Sequence, residues 1–355
     1  MSNTFRELLK KIGSGPHTGK NLSREEATQA TKMILQEEAT PAQIGAFLIA
    51  HRIKRPTADE LAGMLDAYDE LGCLLSPLPR DVTVTVMGVP YDGRSRTAPV
   101  TPITGLILAA AGVPVLQHGG NCMPTKYGIP LVEVWQGLGV DFTRLSLQQV
   151  HTSLEQTGFG FIYTPRHFPL VETLVSYREQ VGKRPPFATV ELIWSPYRGK
   201  THLVAGFVHP PTEKFMQGTL ALRGVGQYTL VKGLEGSCDL SRDRTAIIAT
   251  HNPNDSEFQR LKLHPRDYQL DGKDVSLTSQ SEYLEKLEMI LAGHSNELHK
   301  TILWNGGFYL WRCGVSSSLA AGIQEANSLL QSGKVKQKRQ EIQAFIMENQ
   351  ELTES

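Results

Sequence analysis

Cysteine is scarce in this chain, with four residues in 355, and Cys73, Cys122, Cys238 and Cys313 stand far apart with no C-x-x-C pair. That spacing argues against a zinc site and suits reduced thiols in a cytosol. Charge of one sign is also missing, because 36 basic residues balance 36 acidic ones. Net charge therefore gives no reason to expect a nucleic-acid or membrane partner, although a local basic patch is compatible with it. The longest apolar stretch, Ile103–Val115, is shorter than a membrane span and is broken by Gly105, Gly112 and Pro114. The opening residues, Met1 to Leu9, hold no apolar h-region, so no secretory signal is expected and the location expected is cytoplasmic. Repeats and low-complexity tracts are absent as well. What remains is the length of an α/β enzyme with an added module, enough to bury a core without disulfides or metals.

The first eighty residues read as helices. Ser23 and Glu26 form a capping box, Thr40 precedes Pro41 as an N-cap before proline at N1, and Thr57 opens a further helix. Apolar residues then recur at helical spacing: Ile44, Phe47 and Leu48, then Leu61, Met64, Leu65 and Tyr68. After residue 80 the pattern changes. Val82, Val84 and Val86 alternate as a strand, a loop runs from Met87 to Pro102, and a helix follows over Ile103–Ala111. Strand, loop and helix recur through strands at Val113–His118, Gly160–Tyr163, Leu203–Val208 and Tyr228–Lys232. The fold class expected is α/β: a small N-terminal α-helical domain over 1–76, with a later helical segment packed on it, and a larger α/β domain over 80–350. That larger domain has a mostly parallel sheet flanked by helices, with ligand loops at the carboxyl ends of its strands.

Three segments carry a family resemblance. Glu37 to Leu48 and the run Thr301-Ile302-Leu303-Trp304-Asn305 with Ser332-Gly333-Lys334 closely resemble the N-terminal and C-terminal helices of the anthranilate phosphoribosyltransferase family. The likeness covers almost the whole chain, from Leu8 to Phe345. It implies a cleft between a helical and an α/β domain, homodimerisation through the helical domain, phosphoribosyl pyrophosphate as donor, an aromatic amine as acceptor, and Mg2+.

The site residues implied by that resemblance are altered at several positions. Where the family has Gly-Thr-Gly-Gly-Asp, this chain reads Gly88-Val89-Pro90-Tyr91-Asp92. A phosphate cradle needs bare backbone amides, and Pro90 has none to donate. Where a serine ligates magnesium in the family, the chain has Val100, which offers no oxygen side chain, with Thr101 beside it. The family's Lys-His-Gly-Asn-Arg falls on Gln117-His118-Gly119-Gly120-Asn121, and its metal-binding Asp-Glu pair falls on Cys238-Asp239 with Glu235 nearby. Arg178-Glu179-Gln180-Val181-Gly182-Lys183-Arg184 resembles the run whose first arginine meets the acceptor's carboxylate. A helix-surface arginine is the other reading of Arg178.

Pro90-Tyr91-Asp92-Gly93-Arg94, His209-Pro210-Pro211 and Lys232 to Gly236 are similar to a divergent subfamily of anthranilate-phosphoribosyltransferase-like proteins, some of which bind nucleic acid. Glu191 stands where that subfamily suggests a lysine, which weakens the case for a polyanion. The candidate phosphate or donor contacts are therefore Gly88, Asp92, Gly93, Arg94, Arg96, Thr101, His118 and Gly119. Arg178 is the acceptor candidate, and Asp239 and Glu235 are the metal candidates, with Mg2+ expected only where the family's chemistry is retained. No catalytic residue is assigned. Transfer to an aromatic amine is one reading. The other is a non-catalytic relative that binds a phosphate-bearing ligand or nucleic acid. The basic run Lys334 to Arg339 reads as a solvated helix face.

Overall fold

Side-chain caps start the helices of the N-terminal bundle. Ser23, Thr40 and Thr57 each accept a hydrogen bond from the amide three residues on, and Glu26, Gln43 and Glu60 reach back, so three successive helices begin with complete capping boxes. The computed structural model describes residues 3–15 and 17–354. Met1 and Ser2, which open both the stretch read for a leader and the expected 1–76 unit, lie outside the described residues. The bundle comprises Asn3–Gly13, Arg24–Leu35, Pro41–Lys54 and Ala58–Leu71. Its core joins Phe5, Ile34, Ile44, Phe47 and Leu61. A later helix, Pro210–Leu222, lies against Ala58–Leu71: Gly218 leaves room for Ala58, and Arg223 at the helix end bonds Asp66 and Asp69.

The larger unit is built on seven strands: β1 (Val84–Met87), β2 (Val115–Gly119), β3 (Phe159–Tyr163), β4 (Thr201–Gly206), β5 (Tyr228–Val231), β6 (Ala246–His251) and β7 (Gln259–Leu263). Their order in the sheet is β3-β2-β1-β4-β5-β6-β7. The first five are parallel, whereas β6 and β7 run antiparallel to their neighbours. β6 has no counterpart in the sequence reading, since its burial alternates only weakly and the region after His251 reads as polar and irregular. Helices Leu147–Thr157 and Phe187–Ile193 have none either. β1 and β2 are buried at every position, as expected for a parallel sheet covered on both faces. Strand order reverses between β1 and β4, so the loops after those strands diverge and open a crevice at their carboxyl ends. Among the described residues no helix is long and apolar enough to cross a membrane.

Candidate functional site

The crevice is a cavity of about 740 Å3. Its walls come from Pro90–Asp92 after β1, Phe207–His209 after β4, the segment Gly182–Glu191, and Arg52 and Pro56 of the helical bundle. It therefore lies between the bundle and the sheet. Six of its lining residues are lysine or arginine and two are carboxylates, which favours an anionic ligand.

The loop after β1 turns sharply. Gly88 passes so close to Leu192 that a Cβ would sit 1.9 Å from that residue's carbonyl oxygen. Its amide is donated to the Val204 carbonyl at 2.7 Å, so the glycine serves strand packing. Gly93 has φ of +73° and lies against the Gly128 backbone, which restricts this turn to glycine. Tyr91 is buried, its ring stacks edge-on against His118, and its hydroxyl lies 2.7 Å from His118 Nδ1. Burial pushes the His118 imidazole down to about 4, so it is neutral at pH 7. Gly119 ends β2 with the Tyr91 ring 4.0 Å from where its Cβ would be.

Arg94 carries the largest revision of the sequence reading. That reading gives it to an anionic ligand, yet its side chain is buried and spends its donors on protein. Nε donates to Glu235 at 3.2 Å, and Nη1 donates to Ser237 at 2.7 Å and Asp239 at 2.8 Å. Nη2 bonds Thr97. The two carboxylates are otherwise saturated. Asp239 accepts from the Val100 amide at 3.0 Å and the Thr101 hydroxyl at 2.8 Å. Glu235 accepts from the amides of Ser95, Arg96 and Thr97, and from Lys126 at 3.3 Å. Burial alone would raise the Glu235 carboxyl, but Lys126, Arg94 and the loop amides outweigh it and hold it well below the usual carboxylate range. These residues do not fit magnesium. A hard cation needs about six oxygen ligands, whereas here a guanidinium and backbone amides already face the carboxylate oxygens. Among the described residues no group of three or more His, Cys, Asp or Glu is placed to hold a metal ion.

The remaining candidates divide in the same way. Asp92 is buried and chelated by Arg184, with bonds of 2.5 and 2.6 Å. Arg178 is buried rather than on a helix surface: it bonds Glu191 and lies 3.1 Å from Met123 Sδ. Burial pushes the Glu191 carboxyl up to about 7, against the pull of Arg178. Arg96 alone among the loop arginines reaches out, with its side chain 79% exposed. Arg184, Lys126 and Ser237 belong to the site although the sequence reading does not include them. Arg184 stands in the quoted run Arg178 to Arg184, but nothing in the sequence pairs it with an aspartate ninety-two positions away. Cys238 is fully buried, its thiol pushed up to about 12 by burial. Lys338 and Arg339 of the basic run are tied to Glu341 and Glu288.

Residues 6–72 match the helical bundle domain of a glycosyl transferase family, and residues 92–336 match its a/b domain. An anthranilate phosphoribosyltransferase of Acetivibrio thermocellus is 28% identical, covering 95% of this chain and 96% of the relative. One from Chromobacterium violaceum is 26% identical over 92% of this chain and 94% of that protein. Among solved structures, the anthranilate phosphoribosyltransferase of Thermus thermophilus aligns with a TM-score of 0.78 at 19% identity, covering 98% of this chain and all of the other. The Saccharomyces cerevisiae enzyme in complex with PRPP and Mg aligns with a TM-score of 0.80 at 18% identity, covering 97% of this chain and 98% of that one. At such identities the structures establish the fold. Taken with the two family matches, which span most of its length, they leave one conclusion: the chain belongs to the glycosyl transferase family of the anthranilate phosphoribosyltransferases.

Proposed function

We propose that this protein binds a phosphate-bearing ligand in the cleft between its two domains without a divalent metal, and that it does not carry out phosphoribosyl transfer to anthranilate. The observation that carries this reading is the Arg94 guanidinium bridging Glu235 and Asp239. A guanidinium supplies one fixed positive charge to the two carboxylates, which removes both the reason and the room for magnesium. Relatives named anthranilate phosphoribosyltransferase, and a yeast neighbour in complex with PRPP and Mg, support a phosphate-bearing ligand. So does the cationic excess of the walls. Phosphoribosyl transfer needs stabilisation of a departing pyrophosphate, and each lost donor of that kind costs roughly 2.7–4 kcal/mol of barrier stabilisation. Pro90 and Gln117 stand where the family resemblance implies donors, and Arg94 is committed elsewhere.

Purified protein incubated with anthranilate, phosphoribosyl pyrophosphate and magnesium is expected to release no pyrophosphate. Steady, enzyme-dependent release would overturn the reading. A single-stranded nucleic acid is one phosphate-bearing ligand compatible with the cleft, and retention that weakens steeply with salt would identify it.

The protein is also proposed to form a homodimer through the helical bundle. An apolar groove of about 1030 Å3 lies between the first and third helices, lined by Leu9, Ile12, Ala46, Ile49 and Ile53. Ile53 is 76% exposed at its edge. The exposed Ile53 beside these apolar side chains supports an interaction surface there, and a second copy of the same face supplies matching apolar area.

A further inference from the structure

Two opposite charges meet at the inner wall of the cleft. Arg178 and Glu191 both line the cavity, and they are only 2% and 3% exposed. The Arg178 Nη2 donates to Glu191, and Nη1 faces the Met123 sulfur. Arg178 Nε is buried with no hydrogen-bond partner among the described residues. The lining of the same cavity includes Pro90, Leu192, Phe207 and Val208, which offer apolar surface. A guanidinium in such a setting demands a counter-ion, because an unpaired buried charge is strongly unfavourable. Glu191 already supplies one. A second carboxylate arriving from solvent would find the guanidinium occupied and would face the like charge of Glu191 at close range.

We infer that Glu191 sets the specificity of the inner cleft: it is the resident counter-ion of Arg178, so this wall receives an uncharged planar group and turns carboxylates away. The apolar lining of the cavity suits a ring. This inference stands on the Arg178–Glu191 pair and holds whether or not the outer cleft takes phosphate or a metal.

Benzamide and benzoate share a shape and differ in charge, which makes them the probes. Binding to the full-length protein is measured by calorimetry above neutral pH, with each probe at millimolar concentration. The wild-type protein is expected to bind benzamide at least about tenfold more tightly than benzoate, a difference of about 1.4 kcal/mol. Glu191→Gln keeps the shape of the side chain and removes its charge, so it should reverse the preference and bring benzoate binding up by about tenfold or more. Equal or tighter binding of benzoate by wild type overturns the inference. So does a preference unchanged in Glu191→Gln, or a wild-type protein that binds no benzamide. If Glu191→Gln does not fold, the comparison of the two probes on wild type decides alone. Displacement of bound benzamide by free phosphate would place the probe in the outer cleft instead, and would also count against it.

Discussion

Arg94 links two loops that arrive from different strands of the sheet, and its surroundings explain why it is buried. Glu235 and Asp239 follow β5 and Arg94 follows β1, while Glu235 also pairs with Lys126 at 3.3 Å and with the exposed Arg96 at 3.8 Å. Removing one partner of a buried ion pair strands the other. Arg94→Met should therefore lower unfolding stability by about 3–5 kcal/mol in urea titrations. A variant as stable as wild type would show that the bridge is not the loop's main tie. His118 gives a second prediction. Its folded value of about 4 lies below the ordinary 6.5, so between those values the unfolded chain binds more protons than the folded one. Stability is complete above pH 6.5 and falls as the pH drops towards 4, by about 3 kcal/mol from this residue. His118→Gln should flatten that part of the pH profile; an unchanged slope would assign the acid loss to other groups. At this scale the sequence is readable for residue type but not for partner. Pro90, Val100 and Gln117 read as departures from the runs that the family resemblance implies, and Arg94 and Arg178 as arginines in loop and helix. That each arginine has a carboxylate of its own is hidden, because the partners lie 141 and 13 positions away and meet only when strands and helices are assembled.

The elements themselves are largely legible, for local reasons. Capping boxes at Ser23, Thr40 and Thr57 mark helix starts, because their side-chain oxygens satisfy amides that the first turn leaves without a partner. The helix expected over Ile103–Ala111 is found at Thr101–Ala110. β6 escapes detection because an antiparallel strand covered on both sides lacks the alternation that betrays a half-buried one. Helix Phe187–Ile193 escapes because it is only seven residues long and follows Pro185-Pro186. It carries Glu191, so the element hidden in the sequence is the one that positions the inner-wall charge. The helix Pro41–Lys54 illustrates the opposite case, an apolar stripe legible in the sequence whose covering partner is not. Its residues Ala46, Ile49 and Ile53 form one side of the bundle groove. Ile53→Asp should convert a sedimenting dimer into a monomer with its helicity retained. A wild-type chain that sediments as a monomer would rule out the proposed interface.

The whole molecule keeps the architecture of its family while its cleft is balanced internally. The crevice sits at the β1/β4 switch point, between bundle and sheet, where the fold delivers several loops to one place. Within it Arg94 meets Glu235 and Asp239, Arg184 meets Asp92, and Arg178 meets Glu191. Each pairing satisfies a buried charge from within the protein. Lys183 and the largely exposed Arg96 stand outside these close pairings and also line the cavity. Family membership and fold can be read from the helical segments at either end of the chain, because those residues are constrained by packing. The chemistry of the cleft cannot, because it depends on which charges pair across loops from separate strands. Calorimetric titration of phosphoribosyl pyrophosphate into the protein, with magnesium present and with magnesium chelated, tests whether Arg94 stands in for a metal. Saturable binding of the same affinity is expected in both conditions. Binding that appears only with magnesium, or tightens with it by about tenfold or more, would contradict the view that Arg94 holds the place of a metal.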